Sequence, residues 1–92
     1  MSSNYNYSGQ HAEGVGTMAI GLGAHSEGKG TKANGLYTHA EGWNTLATAN
    51  DAHVEGYSSV AYGAGSHVEG GKNEGFNSYA HAEGAHNKVY AR

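Results

Sequence analysis

Small and large side chains alternate over short stretches of this chain, and the alternation restarts every 14 residues. Six tetrads mark the restarts: His11-Ala12-Glu13-Gly14, His25-Ser26-Glu27-Gly28, His39-Ala40-Glu41-Gly42, His53-Val54-Glu55-Gly56, His67-Val68-Glu69-Gly70 and His81-Ala82-Glu83-Gly84. A period of two is the mark of a β-strand, whose successive side chains point to opposite faces. The residue after each His is Ala, Ser or Val, and the residue before it is Ala24, Thr38, Ala52, Ser66 or Ala80 in the later copies. His and Glu therefore share one face of the strand, and small residues the other. A second short strand is predicted half a repeat later. There Thr17, Thr31, Thr45, Ser59, Asn73 and Asn87 lie on the same side as Ala19, Ala33, Ala47, Ala61, Gly75 and Val89. The two small-residue faces fit together inside a narrow coil, which sends the large side chains outward.

Self-similarity at a fixed period means stacked units, each covering the next. Fourteen residues are too few for a helix pair and suit two short strands joined by two tight turns. The expected turn residues are the tetrad glycines Gly14, Gly28, Gly42, Gly56, Gly70 and Gly84. Seven positions further on, the matching turn residues are Gly21, Gly35, Ala49, Gly63, Asn77 and Ala91. These are mostly residues that tolerate left-handed backbone or fit a crowded corner. The chain thus reads as a cap or disordered lead over residues 1–8, followed by a single all-β solenoid of about six coils over 9–92.

Composition narrows the function classes. Leu, Ile, Val and Phe number ten among 92 residues, well under the roughly 20% that an ordinary core requires. Net charge is only −3 and Pro is absent, so the chain is neither a highly charged disordered segment nor a Pro-rich linker. The absence of Cys excludes disulfides, thiolate metal sites and thiol nucleophiles. Five Lys and Arg are too few for a phosphate-binding surface, so nucleic acid is not an expected partner. No apolar run reaches the length of a membrane span, and no secretory signal is read at the N-terminus.

The two outward faces differ in kind. Beyond the second strand the outward residues are Met18 and Ile20, Lys32 and Asn34, Leu46 and Thr48, Val60 and Tyr62, Glu74 and Phe76, then Lys88 and Tyr90. They share no chemistry. The tetrad face carries His11, His25, His39, His53, His67 and His81 beside Glu13, Glu27, Glu41, Glu55, Glu69 and Glu83. A free surface gives no reason to keep two residue types at every level, whereas a repeated contact does. These twelve residues are therefore expected to form a seam against identical faces of neighbouring chains. Such a seam would also add the burial that a small Ala/Ser/Gly coil lacks.

Met18-Ala19-Ile20-Gly21 and Ser59-Val60-Ala61-Tyr62-Gly63 resemble the head repeat of YadA-type trimeric autotransporter adhesins. The tetrads are similar to the Ser-His-Ala-Glu-Gly repeats of related bacterial surface and phage tail proteins. The resemblance covers about residues 9–91. It implies a left-handed parallel β-roll, three chains side by side, with His and Glu in the place of two aliphatic residues at the trimer axis. It also implies a place on a cell surface or a virion, and a host-surface protein or glycan as a partner.

Catalytic readings find little support. His-x-Glu occurs in zinc deaminases, but their Pro-Cys-x-x-Cys partner has no counterpart here. Single active sites are not made in six equivalent copies. The glycine pairs around Gly14, Gly21 and Gly63 mimic a dinucleotide loop without the helix that must follow. No enzyme activity and no cofactor are expected. The alternative is a metal-binding trimer, in which three-fold symmetry gathers rings of His25, His39, His53 and His67 around axial ions. The simpler expectation is an imidazole that hydrogen-bonds a Glu of an adjacent chain or coil.

Overall fold

The computed structural model describes residues 10–90, so the expected lead over 1–8 lies outside the described residues. Each repeat contributes one five-residue strand and one two-residue strand. The long strands are β1 (His11–Val15), β3 (His25–Lys29), β5 (His39–Trp43), β7 (His53–Tyr57), β9 (His67–Gly71) and β11 (His81–Ala85). The short ones are β2 (Met18–Ala19), β4 (Lys32–Ala33), β6 (Leu46–Ala47), β8 (Val60–Ala61), β10 (Glu74–Gly75) and β12 (Lys88–Val89). Long strands form one six-stranded sheet and short strands a second, each in sequence order. All pairing is parallel, with His aligned on His, Glu on Glu and Gly on Gly at a constant offset of one repeat. The described chain is therefore an all-β solenoid of about six coils, with extents of 35 × 22 × 10 Å.

The interior is built from the smallest side chains of the repeat. Ala19, Ala33, Ala40, Ala47, Val54, Ala61 and Val68 are fully buried, together with Thr17, Thr31, Thr45, Ser59 and Asn73. Two sheets can approach this closely only because nothing larger than Val, Thr or Asn stands between them. The polar members keep their hydrogen bonds. Thr31 and Thr45 donate to the carbonyls of Glu27 and Glu41 at 3.3 and 3.2 Å, and Asn73 donates to that of Glu69 at 2.6 Å. Each thereby fastens the second strand of a coil to the first.

Size is matched locally across the gap. Gly75 takes the column otherwise filled by Ala, and a Cβ there would lie 2.9 Å from Val68 Cγ2. Val68 has consumed the volume that an Ala at 75 needs. Gly75→Ala is expected to destabilise by about 1–2 kcal/mol through overpacking. In the Val68→Ala background the same change is expected to cost almost nothing. A double-mutant cycle in urea measures the coupling, and additive effects would contradict the contact.

The turns differ from the sequence expectation. Gly14, Gly28, Gly42, Gly56, Gly70 and Gly84 are not turn residues: they occupy the fourth position of the long strands, with φ between 107° and 118°. Gly21, Gly35 and Gly63 stand at a crowded corner but lack positive φ. The left-handed residues fall two positions later in both half-coils. One column is Gly16, Gly30, Asn44, Ser58, Lys72 and His86, and the other is Gly23, Tyr37, Asp51, Gly65 and Tyr79. Side chains that disfavour this backbone are held there because the corners continue the hydrogen-bond ladder. Lys72 N–H donates to Tyr57 O at 3.0 Å, His86 N–H to Gly71 O at 2.9 Å, and Tyr79 N–H to Ala64 O at 2.9 Å. Each corner is tied to the coil below, and that tie outweighs about 1 kcal/mol of local preference.

Candidate functional site

The long-strand sheet carries the regular face. His and Glu sit two residues apart on each long strand, on the side opposite the buried Ala, Ser or Val. At every level the imidazole Nε2 meets the carboxylate Oε1 of the same coil. The separations are 2.5 Å for His11–Glu13, 2.6 Å for His25–Glu27, 2.7 Å for His53–Glu55 and 2.8 Å for both His67–Glu69 and His81–Glu83. His39 and Glu41 are paired in the same way. The bond runs within one coil, rather than to an adjacent coil as the sequence suggested. Positions i and i+2 of a strand lie on one face about 6–7 Å apart, a gap that these two side chains span.

The coil step also stacks like on like. Consecutive imidazoles are 4.5 to 5.0 Å apart between ring centroids, and from His25 to His81 they are nearly parallel. His11 and His25 are tilted by 43° at 4.9 Å. The face is therefore a column of imidazoles beside a column of carboxylates, each imidazole hydrogen-bonded to its own Glu. In the middle coils the side chains are about one-third to two-fifths exposed: 33% for His39 and 38% for Glu41. They are not buried by this chain. Carboxylates on neighbouring coils, one strand step apart, repel by about 1 kcal/mol in water.

The seam residues expected from the sequence are thus brought together on one surface, all twelve of them. His25, His39, His53 and His67, the alternative metal ligands, form one column with each Nε2 already engaged by a Glu. Among the described residues, His53, Glu55 and His67 place one ligand atom each within 4.8 Å of one another. His86 is exposed in a corner, away from the column.

One feature escaped the sequence pattern. Because the tetrad glycine is inside the strand, a fifth residue extends each long strand and borders the Glu column: Val15, Lys29, Trp43, Tyr57, Gly71 and Ala85. Trp43 and Tyr57 are about half exposed there. The varied composition of this column hid it. On the short-strand side, Tyr62, Phe76 and Tyr90 form a second stack, with centroids 5.0 and 4.7 Å apart and planes within 8°. Residues spaced by 14 were the available signal. Tyr37 and Tyr79 lean over Gly23 and Gly65 of the coil below. These tyrosines cover a glycine of the preceding coil and are otherwise largely exposed.

No pocket opens on the surface of the described residues, and among them there is no helix long and apolar enough to cross a membrane. No known protein family, curated protein or solved structure matches the chain.

Proposed function

We propose that this chain is a structural module, a rod segment assembled from three copies lying side by side as left-handed rolls, with their His/Glu faces turned to a common axis. The observation that carries the reading is the face itself: one pair of residue types at six consecutive levels, in unbroken register and only half covered. Catalysis needs one site, whereas association along a length needs the same contact at every level. The hydrophobic core supports a need for partners, because it consists of Ala and Val alone and small scaffolds commonly require an added source of burial. Three is the closure implied by the likeness to trimeric adhesin heads, and so is a role in presenting a host-binding rod on a bacterial surface or phage tail. A host protein or glycan is the proposed ligand class.

Light scattering and native mass spectrometry test the assembly. The expected species is a trimer at micromolar concentration, and a folded monomer would refute the proposal. Within it, His39→Ala or Glu41→Ala removes one partner of a pair that the assembly covers, leaving the other unpaired at about 1–3 kcal/mol in each subunit. Either change is expected to raise the dissociation midpoint concentration far more than Lys32→Ala on the opposite sheet. Replacing His53 and Glu55 together by Val and Ile is expected to be tolerated, since it removes both polar groups at once.

A further inference from the structure

The pairing of coils brings metal-ligating groups together inside a single chain. His53 and His67 are register partners on adjacent long strands, with ring centroids 4.6 Å apart and planes 14° from parallel. Glu55 is bonded to His53 at 2.7 Å. One ligand atom from each of the three residues falls within a 4.8 Å span. His67 is held at 2.8 Å by Glu69 of its own coil, so a carboxylate stands behind one of the two imidazoles. With a metal on His67 Nδ1, this carboxylate stays on the ring's other nitrogen, where it orients the imidazole and raises its basicity.

We propose that His53, Glu55 and His67 form a site for a divalent transition metal, zinc or its neighbours, across the step between two coils. Two imidazoles and one carboxylate suit these ions, and they leave a position open for water or a fourth ligand. Zinc bonds of about 2.0–2.2 Å require the His67 donor to approach the other two more closely than the 4.8 Å span found here. The shift is available from side-chain torsions in the single chain, where both imidazoles are more than one-third exposed and the strands beneath them stay fixed. The parallel rings cannot both aim at one ion as they lie, so one of them turns toward Glu55.

This site is complete in one chain and differs from an axial ring, which needs three chains per ion. Calorimetric titration of the full, untagged, chelator-treated protein with zinc chloride distinguishes them. One ion per chain is expected. His53→Gln and His67→Gln are each expected to weaken binding by about a hundredfold, as the loss of even an indirect support can cost that much. Glu55→Gln keeps an acceptor for His53 but removes the charge, and is expected to weaken zinc by about tenfold. His25→Gln, on the same face, is expected to change it less than about twofold. Circular dichroism of each variant shows whether the fold is retained. One ion per three chains, equal loss from His25→Gln and His53→Gln, or no binding at about 1 mM zinc would each overturn the site. A trimer that ignores zinc refutes this proposal alone, and a monomer that binds zinc through these three residues refutes the assembly alone.

Discussion

Gly42→Ala is expected to lower the unfolding free energy by about 4 kcal/mol, among the largest effects available to a single methyl group in this chain. Two costs combine. The residue has φ of +110°, a backbone region that L side chains rarely adopt, at a cost of about 1–3 kcal/mol. The new Cβ would also lie 1.9 Å from the carbonyl oxygen of Gly56 and about 3 Å from its carbon and nitrogen. Those atoms are backbone in the next coil and cannot swing aside, so relief requires parting two paired strands at a further cost of about 1–3 kcal/mol. Gly16→Ala is the matched control. Gly16 also has positive φ, +65°, but its nearest neighbour would be 4.0 Å away, so only the conformational cost of about 1 kcal/mol remains. Urea denaturation followed by circular dichroism, at one fixed protomer concentration, compares the two. Equal losses would show that the coils do not touch at the tetrad glycine.

Asn73→Ala is expected to cost about 3 kcal/mol. Asn73 is fully buried. Its Nδ2 donates to Glu69 O at 2.6 Å and to Gly84 O at 3.0 Å, and its Oδ1 accepts from Asn87 N–H at 2.8 Å. One side chain thus ties the long strands β9 and β11 to the turn that follows. Each lost bond is worth about 1 kcal/mol, more where the group left behind stays dry. Asn73→Thr restores the residue type that Thr45 and Thr31 supply two and three coils earlier. Its hydroxyl can reach Glu69 O but not the other two groups, so a loss of about 2 kcal/mol is expected. Thermal melts of the two variants check the order, and an Asn73→Ala protein as stable as Asn73→Thr would show that the bond to Glu69 contributes nothing.

Much of the architecture is legible without coordinates because it depends on spacing alone. A period of two assigns faces, and a period of 14 assigns neighbours. Together they place Ala40 and Ala47 inside, His39 and Glu41 outside, and His39 against His53. No tertiary information is needed for any of these, since every coil is its own template for the next.

Turn placement needed the tertiary structure. Residue preference pointed to the tetrad glycines, but their small size answers a different demand: the carbonyl of the next coil's glycine occupies the space of a Cβ. The left-handed corners instead fell on residues as ill-suited as Lys72 and Tyr79, because inter-coil hydrogen bonds at the corner exceed the local preference. The partner of each imidazole was decided in the same way. Composition shows that a His and a Glu meet. Only the three-dimensional strand shows that Glu41 is reached by His39 of its own coil, since side-chain reach across i and i+2 is a matter of distance. The convergence of His53, Glu55 and His67 likewise depends on side-chain placement within a register that is otherwise uniform. What the sequence determined by itself is the repeat, its faces and its register, all properties of periodicity. What the tertiary structure decided is which atoms touch, because contacts between coils, not residue preferences within them, set the local backbone and the final partners.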